Sequence, residues 1–114
     1  MVNIPWSVRQ YRDVFNSLYQ ESDEDTQIAI AYRLDLLSQK GNQSRPPHTK
    51  ELRNGIFELR VKDRRFLFYF APEKEIVFVY SFKKGEKLHK ALRKAEENRK
   101  VIQDQKEGTH EISI

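Results

Sequence analysis

The sequence predicts an α+β fold: an N-terminal helical hairpin, a three-stranded antiparallel meander and a C-terminal helix. Three observations carry that prediction. Apolar residues recur at helical spacing between Tyr11 and Gly41. Between Ile56 and Phe82 the pattern changes to alternation and short continuous apolar runs with turn residues between them. From Glu86 to Val101 a thin apolar stripe runs through a highly charged segment. The 114 residues suffice for one modest core, and only four Gly and four Pro argue against low complexity. Residues 1–102 are expected to form one domain, with 103–114 a flexible tail.

Each element has a local reason. Val2 to Val8 reads as a short first strand, with Pro5 confined to its start or to an edge because it lacks an N–H. Val14, Phe15, Leu18 and Tyr19 form one stripe of a helix over Tyr11–Gln20. Ser22 is placed to cap a second helix, and Asp23, Glu24 and Asp25 lie in its first turn, where the helix dipole favours negative charge. Ile28, Ala31, Tyr32, Leu34, Leu36 and Leu37 supply a wide apolar face, and Gly41-Asn42 ends that helix. Gly41 to Pro47 is a polar connection. Asn54-Gly55 marks a turn, although no strand clearly precedes it.

The meander follows. Ile56 to Val61 alternates, so Phe57, Leu59 and Val61 face the helical hairpin while Glu58 and Arg60 face away. Arg65 to Ala71 and Ile76 to Phe82 are nearly continuous apolar runs, which suits central strands covered on both faces. Past Ile102 the periodicity fades.

Composition narrows the function classes. No cysteine is present, which excludes disulfides, thiol catalysis and thiolate zinc sites. His48, His89 and His110 have no metal-ligand spacing, no Gly-rich phosphate loop exists, and no nucleophile constellation is visible. The N-terminus has neither a basic start nor an apolar h-region, so no signal peptide is expected, and no apolar run approaches a membrane span. The net charge is +4, yet residues 1–50 are neutral and residues 60–94 hold 11 basic against four acidic side chains. A basic surface there suits a polyanion, nucleic acid first; a solvated Lys-rich face explains the same count. Glu58, Arg60, Arg65 and the Lys83-Lys84 pair can share the sheet face opposite the hairpin, where like charges would repel unless an anion or an acidic neighbour neutralises them. Tyr69 and Tyr80 can bury their rings and present hydroxyls at a rim.

These residues also form three ordered motifs. Lys50-Glu51-Leu52-Arg53-Asn54-Gly55-Ile56-Phe57-Glu58-Leu59-Arg60 is followed by Arg65-Phe66-Leu67-Phe68 and then by Phe82-Lys83-Lys84. Over roughly residues 8–100 the chain resembles the RelE/ParE superfamily of toxins from bacterial toxin–antitoxin pairs, most closely its HigB-type, phage-derived branch. The resemblance implies a helical hairpin packed on a small twisted antiparallel sheet. It implies a cytoplasmic, ribosome-dependent mRNA endonuclease that needs no metal or cofactor and is inhibited by an antitoxin, expected as a small helix-turn-helix protein. Carried over by position, Arg60 would clamp the scissile phosphate, Arg65 would stabilise the transition state, and Lys83 and Lys84 would bind phosphate or transfer protons. Lys62, Arg64, Lys87, Lys90 and Arg93 would bind RNA phosphates. The branch usually carries Thr-Pro after the Lys pair, where this chain has Gly85-Glu86, and His89 stands in a region where RelE-like members place a Tyr. Two other functions share the fold: a ParE-like toxin acting on DNA gyrase, and an inactive member that only binds a partner.

Overall fold

The computed structural model describes residues 4–44 and 48–114. In chain order its elements are β1 (Ser7–Tyr11), α1 (Val14–Gln20), α2 (Glu24–Lys40), β2 (Thr49–Arg53), β3 (Ile56–Val61), β4 (Arg64–Ala71), β5 (Glu75–Lys83), α3 (Leu88–Gln105) and β6 (Thr109–Glu111). The predicted class holds, with α1 and α2 forming the hairpin and β3, β4 and β5 the antiparallel meander. The sheet is larger than expected: its order is β2-β3-β4-β5-β1-β6.

The sheet is also mixed rather than antiparallel, because β1 runs parallel to β5, from Ser7 opposite Glu75 to Gln10 opposite Phe78. The first strand begins after Pro5, not at Val2, and residues 1–3 lie outside the described residues. The ladder can start only where N–H groups resume. Trp6 N–H donates to Ser38 O and Ser7 N–H to Lys74 O, which binds the start of β1 to α2 and to the β4–β5 turn. The Asn54-Gly55 turn does have a preceding strand, β2, and both of its residues have positive φ, as a tight two-residue hairpin turn requires. The segment expected as a tail carries secondary structure. Helix α3 continues to Gln105, and β6 pairs antiparallel with β1, Arg9 opposite Glu111 and Tyr11 opposite Thr109.

Each sheet face has its own core. On the hairpin face the Phe15, Phe66, Phe68 and Phe78 rings are fully buried among Ile30, Leu37 and Leu59. Phe15 and Phe66 lie 4.6 Å apart between centroids, and Phe15 and Phe78 meet edge-on at 5.0 Å. Such contacts add about 0.5–1.5 kcal/mol to each pair beyond area burial. On the opposite face α3 lays Ala91, Leu92 and Ala95 against Ile56, Leu67, Val77 and Val79. The small alanines let the helix sit close to β5.

The helices begin differently from the sequence expectation. Asp23, not Ser22, caps α2 by accepting from Thr26 N–H at 2.8 Å, whereas the Ser22 hydroxyl donates back to Leu18 O. Helix α1 has no cap from its own Asp13. Gln10, fully buried on β1, supplies one: its Oε1 accepts from the N–H groups of Phe15 and Asn16.

Gly41 ends α2 at φ +54°, ψ −129°, a conformation that a side chain resists, and a Cβ there would run into the Trp6 indole. Gly41→Ala is expected to destabilise the fold by about 1–3 kcal/mol through strain and overpacking. Thermal unfolding measures it; an unchanged midpoint would contradict this view of the Trp6–Gly41 contact.

Candidate functional site

The site is organised by a bulge in β5. Leu67 pairs with Tyr80 but Phe68 pairs with Phe78, so Val79 is an extra residue. Before the bulge Val77 and Val79 face α3 while Ile76 and Phe78 face the hairpin. After it the parity is inverted: Tyr80 and Phe82 join the α3 face, and Ser81 and Lys83 turn to the hairpin side, where the Ser81 hydroxyl donates to Val14 O and Lys83 Nζ sits 2.9 Å from a Glu21 carboxylate oxygen.

On the α3 face the register builds two neighbouring rows. One runs Lys50, Glu58, Leu67, Tyr80; the next places Arg60 opposite Arg65 and Arg65 opposite Phe82. Directly opposed residues have Cβ atoms about 4.5–5.5 Å apart, so two cationic side chains leave the sheet from neighbouring positions, an arrangement that favours an acidic neighbour or an anion. Arg60 remains open, its side chain 46% exposed, with Nε 3.3 Å from Glu58 Oε1. Glu58 and Arg65 are each only 7% exposed. One Arg65 terminal nitrogen donates to Lys62 O at 2.7 Å and Arg64 O at 3.0 Å, which holds the guanidinium against the β3–β4 turn. Among the described residues Arg65 has no acidic partner within 4.0 Å. A buried cation satisfied only by carbonyls leaves its charge available to an incoming anion.

The third component is Tyr80. Its hydroxyl donates to Glu86 Oε2 at 2.7 Å, its ring stacks on Phe82 at 6.1 Å, and Lys94 Nζ lies 5.5 Å from the ring centroid. Burial, and then the Glu86 carboxylate, push the phenol up to about 12.

The basic residues singled out in the sequence therefore divide. Arg60 and Arg65 come together on the α3 face. Lys83 does not join them, because the bulge sends it to Glu21, and it lines an open cleft of about 500 Å³ beside α1. Lys62 and Arg64 also lie on the hairpin side: Lys62 Nζ donates to the Thr26 hydroxyl, and Arg64 contacts the Ser22 hydroxyl and the Asp63 carboxylate. Lys84 is exposed in the turn between β5 and α3, where it and Glu86 line the same cleft as Lys83. Lys87, His89, Lys90 and Arg93 are exposed along the first turns of α3, which follow that turn. The sequence offers Glu58 only as a neutralising charge and Tyr80 only as a rim phenol; the contacts with Arg60 and Glu86 come from the fold. The parity change that places Tyr80 has no signal in a continuous apolar run.

A family model described as "Phage derived protein Gp49-like (DUF891)" matches residues 19–104. No curated protein matches the chain. Among solved structures, a chain of the toxin-antitoxin complex RelBE2 from Mycobacterium tuberculosis aligns with TM-score 0.54 and 19% identity, covering 70% of this chain and 99% of that one. At that identity the likeness is one of fold.

The Tyr80 environment has a spectroscopic consequence. The phenol should ionise near pH 12, well above its ordinary 10.0. Because the folded-state value is raised, its contribution to stability is intact below pH 10 and is lost as pH climbs from 10 towards 12. Ultraviolet difference titration should show this late step. Tyr80→Phe should remove one phenol's amplitude from it, the remainder belonging to Tyr69, which burial also raises, and Glu86→Gln should lower the Tyr80 step only partway, since burial is the larger cause. A Tyr80 step near 10 would contradict the packing described.

Proposed function

The chain belongs to the Gp49-like family of phage-derived, RelE-superfamily toxins, and on that premise we propose that it is a ribosome-dependent mRNA endonuclease acting through the α3 face of its sheet. The observation that carries this reading is the Arg60–Arg65 pair: two arginines opposed in the sheet register, one of them buried and without an acidic partner among the described residues, beside a buried carboxylate. Cleavage by attack of a 2′-hydroxyl on the adjacent phosphate needs cations for the charge that accumulates on the phosphorane oxygens, an acceptor for the 2′-hydroxyl proton and a donor for the 5′-oxygen. Arg60 and Arg65 supply the cations. Arg65, held by two turn carbonyls, is already oriented. Glu58 is the carboxylate beside the pair, oriented by its 3.3 Å contact with Arg60, and serves as the proton acceptor. The exposed Lys87, Lys90 and Arg93 at the start of α3 extend the positive surface for RNA phosphates, and His89 lies among them as a candidate donor. The partners of this reading are the ribosome, mRNA and a cognate antitoxin.

Expression of the free chain should arrest translation, and Arg60→Ala should relieve the arrest, with a loss of about 10²–10³ in cleavage rate, the scale expected for one preorganised electrostatic donor. Lys83→Ala, on the other side of the sheet, should leave cleavage nearly unchanged. The assay is cleavage of ribosome-bound mRNA by purified protein. A fully active Arg60→Ala, or an inactive but folded Lys83→Ala, would refute this placement of the site. A DNA-damage response in place of translational arrest would point to gyrase instead.

A further inference from the structure

Glu86 occupies a place that suits a phosphate. It is an exposed residue in the connection between β5 and α3, next to Gly85 at φ +116°, and its N–H donates to Lys83 O at 3.2 Å. Its carboxylate accepts the hydroxyl of Tyr80 at 2.7 Å. That hydroxyl is not a chance surface group. The Val79 bulge exists at the cost of one ladder position, and its effect is to turn Tyr80 onto the face of Arg60 and Arg65, in the row beside them. Bulges are used in this way to re-aim side chains next to active sites. The ring is held between Phe82 and the Lys94 ammonium, so the hydroxyl has a fixed direction.

We infer that the Tyr80 hydroxyl is a hydrogen-bond donor to a phosphate of the bound RNA, and that in the free protein the Glu86 carboxylate holds this donor as a stand-in for that phosphate. The inference rests on the nuclease reading and adds a residue to it. Tyr80 gives up no proton in this role: it remains a phenol and exchanges one anionic acceptor for another. Its raised pKa agrees, because the group stays protonated at every working pH.

The test is a double-mutant cycle on Tyr80→Phe and Glu86→Ala. Binding is read by fluorescence anisotropy of a single-stranded RNA made uncleavable by 2′-O-methylation, and cleavage is read on ribosome-bound mRNA. Tyr80→Phe should weaken RNA binding by roughly tenfold, the scale of a hydrogen bond to a charged group. It should also slow cleavage at least as much, without moving the thermal unfolding midpoint, since the lost bond is exposed. Glu86→Ala should tighten binding several-fold when Tyr80 is present and much less in the Tyr80→Phe background. Equal effects of Glu86→Ala in both backgrounds, or wild-type binding by Tyr80→Phe, would overturn the inference. Wild-type protein that binds RNA with the expected coupling but cuts no mRNA would instead overturn the nuclease reading alone.

Discussion

The arrangement of this surface depends on one extra residue. Strand β5 carries Val79 unpaired between Phe78 and Tyr80, and this alone decides which side chains reach which face. Without it, strict alternation would place Ser81 and Lys83 under α3 and bury Tyr80 and Phe82 against α1. With it, Phe82 closes the α3-side core, Tyr80 reaches the Arg60–Arg65 rows, and Lys83 is delivered to Glu21. A slip of one residue therefore separates cations that a motif-level comparison groups together.

Pairing then sorts the charge. Between Arg60 and Lys94 the chain has a net +7, but much of it is locally compensated. Lys83 is paired with Glu21 and Arg64 with Asp63. Such exposed pairs contribute little to stability, typically under about 1 kcal/mol, but they lower the field on the hairpin side. Arg60 shares Glu58, and Arg65 has backbone carbonyls alone among the described residues. The sheet tolerates the opposed arginines because Val61, Phe66 and Phe68 anchor the same strands in the hairpin-side core.

Much of the architecture was legible because hydrophobic periodicity is strong where burial is one-sided. The alternation of β3 correctly sends Leu59 and Val61 to the hairpin and Arg60 away, whereas α2 is legible as a helix but not in its face: Leu34 and Leu37 are buried as expected, but Ile28 and Tyr32 are exposed and Ile30 is buried in their place. Strands β4 and β5, covered on both faces, read as strands but conceal their parity, so the bulge and the destination of Lys83 could not be seen. Strand β2, Thr-Lys-Glu-Leu-Arg, is a charged edge with few apolar positions to reveal it. Strand β6 is three residues long, and its pairing with β1 depends on tertiary contact rather than pattern. The Gln10 cap of α1 is likewise invisible without the fold, since it links a strand to a helix through a buried amide.

The most direct test of the account is an NMR titration of the wild-type protein with the 2′-O-methyl RNA, observing the Nε–H signals of the arginine side chains. The account predicts that Arg60 and Arg65 shift together and saturably, while Arg64, one residue away on the hairpin side, does not. Shifts centred on Arg64, with Arg60 and Arg65 unmoved, would contradict it.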